Sequence, residues 1–382
     1  MARSLHAARI GIILLATIGA GALASPAQAA STGVASVSKT TQVKYVAGAG
    51  KTNTVVITRS GRTVTIDDKV KIKAGKGCKA VKGDKTKVRC KLTKNPTKVV
   101  VYAGNKNDTV TNKTSIPSGI DGGAGNDRLA GGSKADSLYG GTGNDVLFGG
   151  AGNDKVYGQA GNDTLYGNGG NDTLYAGSGN DLVYGDSTYV GDRGNDKLYG
   201  EGGNDALEGG YGKDHLSGGA GSDRLEGDVN AEDTTSEVAA DTIYGGAGVD
   251  TADYYRAKAV VDLDGSKGDD GAPGEGDTVG ADVENLTGGD GDNYFTGNAG
   301  PNKLVGGEGD DVFSGLGGND VLHGSYGANV LNGGDGDDTL YSRYADAAPH
   351  TSDGDKVDGG ANTAVGDLCY TSPVDTVTGC ER

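Results

Sequence analysis

The chain has 382 residues, 73 of them glycine, with four cysteines, no tryptophan and a formal net charge of −17. A chain this acidic, with no recognisable nucleic-acid reader motif, is not read as a nucleic-acid binder. Neither HExxH nor GxSxG occurs, and His6, His215, His323 and His350 are scattered, so no catalytic residue and no enzymatic activity are assigned.

In chain order, residues 1–29 read as a signal peptide. Arg3 and Arg9 precede an apolar run from Ile10 to Leu23, and Ala27-Gln28-Ala29 forms a cleavage site. The run is short for a membrane span and no second one follows, so a secreted protein without a transmembrane segment is expected. Residues 30–100 alternate apolar and polar side chains over Thr54–Thr58, Thr63–Ile66 and Lys98–Tyr102, which predicts a small β domain. From Ser31 to Pro117 there are 19 Lys and Arg against 4 Asp and Glu; from Ser118 to the end there are 14 against 48. The basic segment is either a solvated lysine-rich surface or a site for an anionic cell-wall polymer or polysaccharide. Cys78 and Cys90 flank a lysine-rich hairpin, and Cys369 and Cys380 bracket the C-terminal tail. Four cysteines fit an oxidising compartment, and local pairing is the simplest of the three connectivities.

Residues 101–253 form the first repeat block. Gly104-Asn105-Lys106-Asn107-Asp108 reads as a degenerate first turn, and from Gly122 the chain repeats every nine residues: GGAGNDRLA, GGSKADSLY, GGTGNDVLF, GGAGNDKVY and onward. The first six positions hold glycines and an aspartate, hence a tight turn; the last three hold one aliphatic between outward residues, hence a short strand. Two nine-mers make one coil, and stacked coils make two parallel sheets. Burying Leu129, Leu138, Leu147, Val156, Leu165, Leu174 and Val183, one per repeat, returns less than ordering nine glycine-rich residues costs. Stacked aspartates repel as well. Something must therefore bind the turns, and an all-oxygen, flexible ligand set selects calcium. A flexible linker would not keep an aliphatic residue in every repeat, and a dry solenoid would leave the aspartates repelling. Tyr139, Tyr157 and Tyr175 recur along one sheet, and Phe148, Tyr166 and Tyr184 along the other, either as cross-rung packing or as a sugar-stacking platform.

These nine-mers resemble the RTX calcium-binding nonapeptide GGxGxDxUx. The resemblance implies an all-β fold, a parallel β-roll solenoid with several Ca2+ ions in its turns and the N-terminal β domain as a cap. It implies that each ion lies between a turn and the turn two repeats on, pairing Asp127 with Asp145, Asp136 with Asp154 and Asp145 again with Asp163. The remaining ligands in the first block are then Asp172, Asp181, Asp196, Asp205, Asp214, Asp223, Asp241 and Asp250. Gln159, Asn168, Ala176 and Glu201 replace turn glycines, and Lys134 with Ala135 disturbs the second turn. An N-terminal signal is similar to RTX-type proteins of the Gram-positive, actinobacterial kind.

Insertions at 185–190 and 228–239 are expected to bulge from turns. Residues 254–287 lose the period and read as an irregular extended connector. The period returns over 288–341, where Asp311, Asp320 and Asp338 keep the ligand position and Asn293, Asn302 and Asn329 replace it. Weaker calcium binding is expected there, with Asp320/Asp338 as the best-formed pair. Residues 342–382 read as a disulfide-closed C-terminal cap, since a solenoid exposes its core at both ends. The function expected is that of a secreted or surface-associated calcium-binding protein. A cell-wall adhesin acting through the basic domain or the tyrosines is the second reading, and an RTX-tailed hydrolase the third.

Overall fold

The computed structural model describes residues 32–186, 193–228, 239–255, 258–272, 274–342, 354–361, 366–372 and 375–381. The signal peptide, most of both insertions and His350 lie outside the described residues. Among the described residues every regular element is a strand.

The nine-residue period becomes two faces of a roll. Ser137–Thr142, Lys155–Ala160 and Thr173–Ser178 stack in parallel on one face, and Val146–Ala151, Thr164–Gly169 and Leu182–Tyr184 on the other. Register advances by 18 residues per coil: Leu138 lies opposite Val156 and Val156 opposite Leu174, while Leu147 pairs with Leu165 and Leu165 with Val183. These aliphatic side chains are fully buried between the faces, and the residues on either side of each point outward.

Backbone conformation explains most of the glycine. The second and fourth turn positions lie in the left-handed region, as at Gly141 (φ 120°) and Gly143 (φ 118°). Gln159, Asn168 and Glu201 adopt φ of 82°, 66° and 71° at the second position, so these three of the four replacements seen in the sequence keep the turn at a cost in strain.

The basic N-terminal segment is continuous with the roll. Gln42–Val46 pairs in parallel with Lys98–Asn105, and Thr54–Ser60 with Thr109–Asn112, so this chain forms the first coil of both faces. Antiparallel strands then close the end: Gly33–Lys39 on one face, and Thr63–Asp67, Asp84–Lys91 and Cys78–Val81 on the other. Cys78 lies opposite Cys90 in the expected hairpin, and the two are bonded; Cys369 is bonded to Cys380.

The connector also continues the roll. On one face strands run from Cys78–Val81 to Leu368–Tyr370 without a break. The other face ends at Thr278–Val279 and restarts as a six-stranded sheet from Val260–Asp262 to Thr376–Thr378. Antiparallel bridges from Val260 to Gly271 and from Asp270 to Asp277 fold the intervening loop across the gap.

Candidate metal centre

Each coil has two turns, so the turn aspartates form two columns along the roll. In one column the Oδ1 of Asp127, Asp145, Asp163, Asp181, Asp205, Asp223 and Asp250 accepts the backbone N–H of the corresponding residue one coil earlier. The other column runs through Asp136, Asp154, Asp172, Asp196, Asp214 and Asp241 in the same way. Typical distances are 2.7 Å for Asp127 N–H to Asp145 and for Asp145 N–H to Asp163. After the connector, Asp311 accepts from Asn293, Asp320 from Asn302, and Asp338 from Asp320 at 2.8 Å. The pairs named from the sequence, including Asp320 with Asp338, are thus neighbours in a column.

The second carboxylate oxygen sets the chemistry. In all sixteen sequence-derived aspartates Oδ2 is buried and has no hydrogen-bond partner. A buried acceptor left alone is costly, and a buried anionic one more so. Burial accordingly drives these carboxyls upward: to about 7 at Asp145 and Asp154 and about 8 at Asp172. At Asp214 burial and then the charge of Asp241 push the value to about 10. At Asp241 burial, followed by Asp228 among the neighbouring charges, pushes it to about 9.

Space is reserved beside Oδ2 in fifteen of the sixteen turns; before Asp181 the corresponding position is Ala176. The first turn glycine has ordinary φ, so conformation does not demand it. A Cβ added to Gly149 would lie 2.5 Å from Asp154 Oδ2 and 2.8 Å from the Gly167 carbonyl oxygen. A carboxylate oxygen and a carbonyl oxygen from the next coil therefore converge where a side chain would otherwise be. An unmet carboxylate oxygen beside a turn carbonyl, around a cradle without a Cβ, fits a hard cation, and the Asp carboxylates with the turn carbonyls would hold it.

Sequence reasoning left several members out of the columns. Asp108 accepts from Asn53, Asp277 from Asp241, and Glu284 from Asp250. Asp355 accepts from Asn329, and Asp367 from Asp338. Asp108 was visible as part of a degenerate turn. The others stand 26 to 36 residues after their partners rather than 18, so the period could not find them.

A profile of the RTX calcium-binding nonapeptide repeat (4 copies) matches residues 121–156, 157–188, 183–210, 203–229, 239–253, 287–322 and 314–343. These are RTX repeats. They bind calcium, and the two columns of buried carboxylates occupy their turns. The RTX matches stop short of Asp108 at one end and Asp367 at the other, although both have a buried, unpartnered Oδ2 like the aspartates between them. No curated protein matches the chain.

Outside the RTX turns, the carboxylate oxygens of Asp262, Asp264 and Asp269 lie within 4.8 Å of one another on the connector loop. Asp264 and Asp269 are exposed, so water can satisfy them.

The ring ladders are ordered as stacks. Tyr139, Tyr157, Tyr175 and Tyr199 follow at 4.9, 5.1 and 4.9 Å between centroids, and Phe148, Tyr166 and Tyr184 at 4.9 and 5.0 Å, all within 10° of parallel. Neighbouring rings cover each other's faces, which leaves no interior ring face for a sugar. This geometry favours cross-rung packing. His215 and His323 join ladders on the strands, beside Tyr199 and Tyr341 respectively.

Proposed function

We propose that this protein is secreted and folds outside the cell when calcium neutralises the sixteen turn aspartates, giving a rigid extracellular roll with a structural or surface-interaction role and no catalytic turnover. One observation carries the reading: columns of buried turn carboxylates whose Oδ2 atoms find no protein donor. When bound, calcium supplies positive charge and accepts several oxygen ligands at once. The chain's own part is to hold the carboxylates in register, exclude water and, in every turn but the one beginning at Ala176, keep the cradle free of a Cβ. At low calcium the acidic repeats would stay expanded, which suits export; at millimolar extracellular calcium they would close. The apolar run and cleavage motif at residues 10–29 support export. The test is circular dichroism of the mature chain during a calcium titration, with magnesium as control. A transition to β structure in the millimolar range with calcium alone is expected; a chain fully folded in chelator would reduce calcium to a minor role.

A second reading concerns the basic end. Arg62, Lys79, Lys82, Arg89 and Lys91 line one open groove beside the Cys78–Cys90 hairpin. The nearby Asp67 and Asp84 both pair with Lys87 instead. An anionic cell-wall polymer would suit this groove. Co-sedimentation with cell wall that disappears at high salt and on reversal of Lys79, Lys82 and Arg89 to glutamate would support it; binding indifferent to both would remove it.

A further inference from the structure

Four column positions carry asparagine: Asn53, Asn293, Asn302 and Asn329. All are buried, with at most 3% of their surface exposed. Their amides do what the aspartates cannot. Asn53 Nδ2 donates to the carbonyl of Lys51 at 3.0 Å, to that of Ala103 at 3.2 Å and to Asp108 Oδ1 at 3.0 Å. Asn293 Nδ2 donates to the carbonyl of Gly291 at 3.0 Å and to Asp311 Oδ1 at 3.1 Å. Asn302 Nδ2 donates to the carbonyl of Glu284 at 2.9 Å. Asn329 Nδ2 reaches the carbonyls of Gly327 and Ser342, each at 3.4 Å.

At Asn293 and Asn329 the atom positions match those in the aspartate turns, whereas at Asn302 it is Oδ1 that faces the turn glycine, Gly297. A Cβ added to Gly288 would meet Asn293 Nδ2 at 2.5 Å, and one added to Gly324 would meet Asn329 Nδ2 at 2.6 Å. The same construction at Gly149 meets Asp154 Oδ2 at 2.5 Å. One place in the turn thus holds an unpartnered acceptor in the aspartate turns and a bonded donor at Asn293 and Asn329.

We propose that Asn293 and Asn329 replace the cation itself, so that the column Asn293–Asp311–Asn329 closes without calcium. The proposal rests on the calcium reading of the aspartate turns. An N–H directed at the turn carbonyl supplies locally the positive end that a metal ion would otherwise bring. Asp311 keeps an unpartnered Oδ2 but has no carboxylate next to it in its column. The opposite column differs: Asp320, Asp338 and Asp367 follow one another, each with an unpartnered Oδ2. The second block therefore has one calcium-independent column and one calcium-requiring column. Asn53 likewise ends the first-block column with an amide, where the basic coil begins. The Asn293 and Asn329 turns are then not weak calcium sites, as the sequence alone suggests, but turns that need no ion.

Hydrogen exchange of the full mature chain, read by mass spectrometry in chelator and in calcium, tests this. In chelator, Val312–Ser314 and Val330–Asp335 should exchange at least about tenfold more slowly than Thr173–Ser178 and Thr164–Gly169, and calcium should slow mainly the latter pair. The double variant Asn293→Asp/Asn329→Asp should lose that protection in chelator and regain it in calcium. Equal exchange of the two blocks in chelator overturns the proposal. So does a double variant as protected in chelator as the parent. If calcium leaves the first block unchanged while the parent and the double variant still differ in chelator as stated, the amide closure stands and the calcium-driven folding of the first block falls.

Discussion

Asp145 shows how one residue serves two coils. Its Oδ1 accepts the N–H of Asp127, and its own N–H is donated to Asp163. Asp145→Ala removes one carboxylate from the column and strands the Asp127 N–H, a buried donor whose loss of partner costs about 1–3 kcal/mol. Calcium titration of this variant should show a midpoint raised several-fold and a shallower transition, because turns on both sides lose a shared neighbour. A midpoint equal to the parent's would argue against sharing. Gly149→Ala probes the cradle from the other side. The added methyl collides with Asp154 Oδ2 and the Gly167 carbonyl without demanding a new backbone conformation. It should weaken calcium-dependent folding while leaving the Tyr139–Tyr157 ladder region protected at saturating calcium; an unchanged titration would show that the space beside Oδ2 is not used.

At the scale of the strand, much was legible because the repeat is short and strict. One aliphatic in nine predicted the buried leucine and valine line, and the eighteen-residue spacing predicted the aromatic columns. What was not legible depended on insertions and on pairing partners far apart in sequence. Nothing in the alternation of Gln42–Val46 says that it will pair in parallel with Lys98–Asn105 rather than form a separate domain. Nor does spacing reveal Asp277 as the successor of Asp241, because a further repeat and part of the connector place it 36 positions later rather than 18. The asparagine turns were visible as departures, but their amide donors could be placed only once the facing carbonyls were known. The ladders themselves make a prediction. Tyr157 stacks on Tyr139 and on Tyr175, so Tyr157→Ala removes two stacks, each worth about 0.5–1.5 kcal/mol beyond burial. Thermal melting in saturating calcium should fall by an amount of that order, with the number of bound ions unchanged. A loss of bound calcium would instead tie the ladder to the turns.

Across the whole molecule the columns couple stability to pH with a definite sign. Burial raises the folded-state carboxyls above the ordinary 3.8: to about 6 at Asp127 and Asp163, about 7 at Asp145, Asp154 and Asp205, and about 8 at Asp172. Between pH 4 and 8 the metal-free roll therefore holds protons that the unfolded chain has already released. Its stability falls as pH rises through that window, the reverse of a protein whose carboxylates are salt-bridged. In the calcium-bound roll the carboxylates are ionised, as they are in the unfolded chain above pH 5, so this proton linkage largely disappears. In chelator the folded fraction, read by circular dichroism, should thus fall from pH 4 toward pH 8, whereas in saturating calcium it should be nearly constant above pH 6. The gap between the two series, which measures what calcium contributes, should widen with pH. Metal-free stability that rises from pH 5 to pH 8 would mean that the Oδ2 atoms find donors or water in solution, and the argument that only a cation can satisfy them would fail with it.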